Sequence, residues 1–297
     1  MDLPNPTEIA TPLFTVLIIV EMIYAYYNKK IRFEPKDTVA SMLMGTGSVV
    51  ANALGAIFIV QLATWTFQFH LFEIPNTIWA FALCFILHDL AYYALHRAAH
   101  RVRWFWASHI IHHSSQHYNL STALRQTWTS PLSITFIFLL PLFYIGFPPE
   151  MVAFTIGINL IYQFWIHTEA IDKMGPLEWV LNTPSHHRVH HSTNPIYLDS
   201  NYAGAFIIWD RMFGTFVAER DDQPCKYGIV SNIATYNPFK IAFHEWISMI
   251  KDIAGEKNYV NKLKYLLLPP GWTPDGSRKT TELIKKEWHE RQATTKT

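Results

Sequence analysis

Five apolar runs, at residues 12–27, 42–67, 77–96, 131–147 and 151–167, constrain this chain more than any other feature. Each approaches the ~20 apolar residues that a helix needs to cross a bilayer, where only helices and closed barrels satisfy every backbone polar group. The charges between the runs fall on one side. Segments 1–11, 70–76 and 146–150 hold no Lys or Arg, although they contain Asp2, Glu8, Glu73 and Glu150. Lys29, Lys30, Arg32 and Lys36 follow the first run, Arg97, Arg101 and Arg103 follow the third, and the basic C-terminal region lies on that same side. The positive-inside bias then predicts an integral membrane protein with its N-terminus outside and with 97–130 and the C-terminal part in the cytosol. The fourth run is short and carries Pro141, so it reads either as a span or as one arm of a tilted hairpin that turns at 146–149. No basic segment precedes the first run, and no cleavable signal peptide is expected.

Charged residues make up only 16% of the 297 residues, against about 25% in soluble domains. The formal net charge of +1 gives no reason to expect a nucleic-acid partner. Cys84 and Cys225 cannot build a disulfide framework or a Cys-based zinc site. Residues 168–216 are punctuated by Gly175-Pro176, Thr183-Pro184 and Asn194-Pro195, which predicts short helices, and 217–240 reads as loop-rich. Residues 238–268 have the spacing of one or two amphipathic helices suited to a membrane interface. The tail after Pro269-Pro270 is polar and expected to be partly mobile. The fold class is an all-α integral membrane protein of about four to five transmembrane helices with a cytosolic helical cap.

Fifteen histidines are the compositional outlier. Most fall in three groups: His96 and His100; His109, His112 and His113; His187, His190 and His191. Spacings of three and four residues put these imidazoles one helical turn apart on a shared face. Eight such nitrogens are too many for one ion and suit two. His167, at the end of the fifth run, is a ninth candidate ligand. His88 lies two turns deeper on the stripe that also holds Tyr92, His96 and His100; it reads as an extra ligand, a supporting donor or a buried structural histidine. His186 also precedes His190 by four residues and is an alternative to His187. Glu169, Asp199 and Asp210 are candidates to orient an imidazole through its second nitrogen. Arg97, Asn119, Arg125, Gln126 and Arg188 flank the groups and are candidates to line a substrate or reductant pocket, with capping, packing and charge-bias roles as the alternatives. His70, His117, His244 and His289 are assigned structural or surface roles.

Imidazole suits Fe, Zn, Cu and Ni alike. A Cys-free set with nitrogens to spare, beside an apolar neighbourhood, favours two iron ions, O2 and a lipid substrate, with zinc as a substitute in purified protein. Two other classes stay open. A haem held by facing histidines needs pairs across the spans, and a transporter needs ionisable groups at mid-membrane, a depth that only His88 and Asp89 approach.

The order HRxxH, HxxHH, HxxHH resembles the fatty acid hydroxylase/sterol desaturase superfamily of membrane di-iron oxygenases over roughly residues 80–216. Longer runs at 112–115, 118–126, 162–169, 182–191, 201–204, 209–210 and 213–215 are similar, within that superfamily, to the alkylglycerol monooxygenases. The resemblance implies a helical membrane fold, a cytosolic histidine-bound di-iron site and O2-dependent hydroxylation of a lipid. For the alkylglycerol group it further implies tetrahydrobiopterin as reductant and attack at the carbon next to an ether oxygen, yielding an aldehyde and a glycerol derivative. Arg101 stands where an acidic residue often follows the first box. Alternatives are therefore a hydroxylase of a bacterial aminolipid of the ornithine-lipid type, of a fatty acyl chain or of a sterol or isoprenoid, with electrons from a reductase, ferredoxin or cytochrome b5-type chain. The expected organisation is N-terminal membrane helices at 1–78, a catalytic domain at 79–216 and a cytosolic or interfacial region at 217–297. The expected location is a bacterial cytoplasmic membrane, or the endoplasmic reticulum of a eukaryote.

Overall fold

The computed structural model describes residues 3–29 and 31–295; Asp2 and Lys30, counted in the charge argument, lie outside the described residues. Helix α1 (Pro6–Asn28) starts well before the first apolar run, because the Asn5 side chain accepts from the Thr7 amide and Pro6 occupies the first turn, where its missing N–H costs nothing. Helix α2 (Pro35–Phe67) begins in the same way, with Glu34 accepting from the Lys36 amide. Helix α3 (Ile78–Arg101) follows a short connection. These three are long and apolar enough to cross a membrane. Their outward faces carry exposed Val16, Ile19, Val50, Leu54, Ile57 and Ile78, the surface a bilayer would cover.

Helix α4 (Arg103–His113) turns back at the end of α3. The fourth apolar run is not one helix. It breaks into α5 (Ser130–Ser133), a 3-10 turn at Thr135–Leu139 and α6 (Leu140–Ile145), with Ile134 in the left-handed region at φ 54° and Pro141 in the first turn of α6. The chain then reverses at Gly146 (φ 125°), where any Cβ would collide with the Phe72 carbonyl. Helix α7 (Pro149–Trp165) completes the hairpin that the sequence allowed. Its 17 residues are about 25 Å long, short of the ~30 Å of a bilayer core. Ala63, Ala80, Cys84, Leu142, Phe143, Phe147, Met151 and Val152 form the core that joins α2, α3, α6 and α7.

Beyond α7 the helices are short, as the Pro and Gly punctuation predicts: α8 (Pro184–His190) and α9 (Ile208–Met212). The amphipathic stretch folds as two helices, α10 (Pro238–Gly255) and α11 (Tyr259–Leu267), because Asn258 caps the second. Helix α10 buries Ile241, Ala242, Trp246 and Met249 and leaves Phe239, Phe243, Ile247 and Ile250 outward. The tail departs from expectation. It forms helix α12 (Thr281–Thr295), held by the Arg101–Glu282 ion pair and by Lys279–Glu287 at 2.6 Å. The described residues contain no strand, only two isolated β-bridges.

Buried polar ties gather at one end of the spanning helices. Arg125 pairs with Asp37 of α2 at 2.6 Å and bonds Ser41 and Ser114. Glu21 of α1 accepts from the Leu120 amide (2.7 Å) and from the Thr168 hydroxyl. Arg103 bridges Glu245 and Asp252 of α10, each at 2.7 Å. Charges buried this deeply are tolerated only when paired, so these contacts fix how the loops seat on the membrane helices.

Candidate metal centre

At that same end, nine histidines converge in two groups. His96, His100, His109, His113 and His190 form one; His112, His167, His187 and His191 form the other. The end of α3, the last turn of α4, His167 just past α7, and helix α8 with the residue that follows it supply them. Each HxxHH segment divides between the groups. His109 and His113, at i and i+4, join the first, and His112 joins the second. In α8 the pair His187 and His191 joins the second while His190 crosses to the first. Adjacent helical residues point ~100° apart, so neighbouring imidazoles join different groups.

Within the first group the Nε2 atoms contact in series: His96 to His109 at 2.9 Å, His109 to His113 at 3.0 Å and His113 to His190 at 3.1 Å. In the second, His112 lies 3.1 Å from His167, His167 3.0 Å from His187 and His187 3.2 Å from His191. In five of the nine rings the opposite nitrogen has a partner. Nδ1–H of His96 donates to the Tyr202 carbonyl (2.7 Å), of His190 to Ser200 (3.0 Å), of His167 to Gln163 (2.7 Å) and of His112 to Arg125 (3.3 Å). His100 directs Nδ1 at the Asp199 carboxylate (3.3 Å). A neutral imidazole with Nδ1 protonated carries its lone pair on Nε2. Lone pairs therefore face one another across ~3 Å, which is repulsive unless a cation lies among them. Metal–imidazole bonds of about 2.0–2.1 Å set neighbouring nitrogens about 2.9 Å apart in octahedral and about 3.4 Å apart in tetrahedral geometry. The observed 2.9–3.2 Å fits ligands around an ion.

Charge points the same way. Burial holds His109, His113, His187, His190 and His191 well below the ordinary histidine range, neighbouring imidazoles lower them further, and burial pushes His112 down to about 4. These rings are neutral at neutral pH, the form that binds metal. The groups adjoin: the rings of His113 and His191 stack with centroids 4.4 Å apart.

The remaining candidates lie around these groups. His88 is buried deeper in α3, with Nδ1 unpartnered, and belongs to neither group. His186 packs on Phe216 and points Nε2 toward Glu178 at 3.9 Å. Glu169 accepts from the Tyr227 hydroxyl (3.0 Å); Tyr227 stacks on Tyr118, whose ring lies over His167 and His191. Arg97 donates to the Tyr93 hydroxyl, Gln126 to the Ala123 carbonyl, and Asn119 caps Leu120–Leu124 and reaches the Arg32 carbonyl. Arg188 makes a two-pronged pair with Glu219 and donates to the carbonyls of Thr168 and Ile171. In the structure Asn119, Arg125 and Arg188 bind protein groups that tie the surrounding loops together.

Two carboxylates turn out to matter more than their sequence context suggests. Asp89 of α3 accepts from the amides of Ala205 (2.7 Å) and Phe206 (2.9 Å), the Trp209 indole (3.0 Å) and Asn159 (2.8 Å). Gly204 passes so close that a Cβ would lie 2.6 Å from Asp89 Oδ1. Asp210 accepts from the amides of Tyr202 and Ala203, both at 2.8 Å, and from Thr215. Together they fix the 200–210 segment, whose carbonyls orient His96 and His190. The run Asn201-Tyr202-Ala203-Gly204 with Trp209-Asp210 was the available signal, but its partner Asp89 is over a hundred residues away.

The Fatty acid hydroxylase family model matches residues 81–215, which hold all nine histidines. The chain is 41% identical to alkylglycerol monooxygenase of Xenopus tropicalis and 38% identical to that of Homo sapiens, in both cases over 93% of this chain and 62% of the relative. It is 26% identical to ornithine lipid hydroxylase OlsE of Rhizobium tropici over 68% of this chain and 63% of the relative. The chain thus spans about three fifths of the length of these curated relatives. No solved structure is a significant match. The histidine pattern, the domain match and the relatives point the same way: residues 81–215 of this chain carry a match to the Fatty acid hydroxylase family model, and the longer similarity is to alkylglycerol monooxygenases.

Proposed function

We propose that this protein is a membrane lipid monooxygenase that holds two iron ions on His96, His100, His109, His113 and His190 and on His112, His167, His187 and His191. The observation that carries the reading is the convergence of nine imidazoles, five of which have Nδ1 on a carbonyl or a carboxylate and so turn Nε2 inward. Bound iron would supply activation of O2 toward an alkyl C–H bond, with electrons from an external donor. The chain's own task is to hold the imidazoles in one tautomer, keep water from the centre and present the opening to a lipid. Asp89 and Asp210 perform the first by pinning the 200–210 segment. Zinc would fit the same nitrogens in purified protein.

An alkylglycerol ether lipid is the leading substrate, cleaved to an aldehyde and a glycerol derivative, with tetrahydrobiopterin as reductant. The named relatives at 41% and 38% identity over 93% of this chain support this choice. An aminolipid substrate is the second reading, favoured by the more distant ornithine lipid hydroxylase. The site lies at the ends of the spanning helices where Lys29, Arg32, Lys36 and Arg97 also sit, which supports a cytosolic orientation. In this reading 1–78 supplies membrane helices, 79–216 the catalytic domain and 217–297 a cytosolic or interfacial region. Lipid profiling by mass spectrometry of cells with and without the protein tests the substrate. Loss of alkylglycerols supports the first reading, a gain of one oxygen on an aminolipid supports the second, and an unchanged lipid profile contradicts both.

A further inference from the structure

His100 is the odd member of the first histidine group. The other four are linked through Nε2 contacts, whereas Nε2 of His100 is buried with no hydrogen-bond partner. Its other nitrogen rests on Asp199, whose backbone holds the left-handed conformation at φ 51°. Asp199 in turn meets the C-terminal helix. The link runs through a guanidinium. Arg101, one residue past His100, stands 3.7 Å from Asp199 and pairs with Glu282. The first turn of α12 thus reaches, through Arg101, the carboxylate that orients His100. The segment before it is tied down independently, by Arg278 to Asp252 at 2.7 Å.

We propose that α12 is a latch for the first metal site: Glu282 holds Arg101 against Asp199, and Asp199 positions His100. Glu282 and Asp199 are positioning residues. A polar tail is thereby made part of the support of a buried ligand. This inference rests on the two-iron reading above. Partners that orient a metal-bound histidine from outside typically change metal affinity about 10- to 100-fold when lost, and only one of two ions should feel the loss.

The test is iron extraction by a ferrous chelator from purified, iron-loaded protein, followed by absorbance, with thermal unfolding recorded in parallel. Unaltered protein should release two ions per chain slowly. Deletion of 281–297, Glu282→Lys and Asp199→Ala should each release one of the two about 10- to 100-fold faster, with the second unchanged. Combining Asp199→Ala with the deletion should add nothing to Asp199→Ala alone, since both act through one carboxylate. Lys286→Ala, which removes only the exposed pair with Glu290, should extract like unaltered protein. Unchanged extraction after both the deletion and Glu282→Lys overturns the latch while leaving the two-iron reading intact. Additive effects of Asp199→Ala and the deletion also overturn it. Fewer than two ions on the unaltered chain overturns the two-iron reading itself.

Discussion

Removing the Asp210 carboxylate is the sharpest perturbation of how the loops support the centre. Asp210 is fully buried, so water cannot replace it. Asp210→Ala orphans the amides of Tyr202 and Ala203. Each buried donor left unpaired costs about 1–3 kcal/mol, or about 2–6 kcal/mol for the two. The Thr215 hydroxyl contributes less, because it retains a contact with the Tyr93 hydroxyl at 3.0 Å. Against a typical stability of about 5–15 kcal/mol this is a large fraction. The loss falls on the peptide whose carbonyl orients His96, so iron content should drop as well. Asp210→Asn keeps one acceptor and turns an amide donor toward the other N–H, and should cost about half as much. Thermal unfolding in detergent, with iron measured on the same samples, should rank unaltered protein above Asp210→Asn and Asp210→Ala lowest. An Asp210→Ala protein that melts with the unaltered chain and holds full iron would refute the reasoning.

His112→Ala and His190→Ala should each lower iron content and abolish turnover, one from each group, while His244→Ala should leave iron unchanged; elemental analysis of the three variants decides it. Metal-stripped protein should lose stability in acid. His112 takes a proton near pH 4 when folded, against the ordinary 6.5, so between these values the unfolded chain binds more protons. Its contribution is full above about pH 6.5 and is lost as pH falls toward 4; a melting temperature that is flat over that window would contradict this. The outward stripe of α10 should lie in the bilayer interface: an environment-sensitive fluorophore on Ile250→Cys should emit as in lipid in nanodiscs, and water-like emission would place that face in solvent.

The membrane helices were legible because apolar length and one-sided charge leave few alternatives. The fourth run was not resolved, since Ile134 in a left-handed conformation and Pro141 break it in a way that hydropathy does not register. Histidine spacing revealed that the imidazoles share helix faces. It did not reveal that His112 and His113, or His190 and His191, part company, because that depends on which other histidines the fold brings to either side of each short helix. Asp89 and Asp210 were obscure for another reason: their partners are backbone amides of a distant loop, and amides carry no sequence signature. The tail reads as polar and loose in isolation. Its order comes from Arg101 and Asp199, which only the folded chain brings to it.

The central claim is that nine imidazoles hold two iron ions. Iron K-edge absorption on the purified protein, with iron and chain quantified on the same sample, tests it most directly. The account predicts two irons per chain in a nitrogen shell with the multiple-scattering pattern of several histidines. A single tightly bound ion, or iron without imidazole scattering, would contradict it.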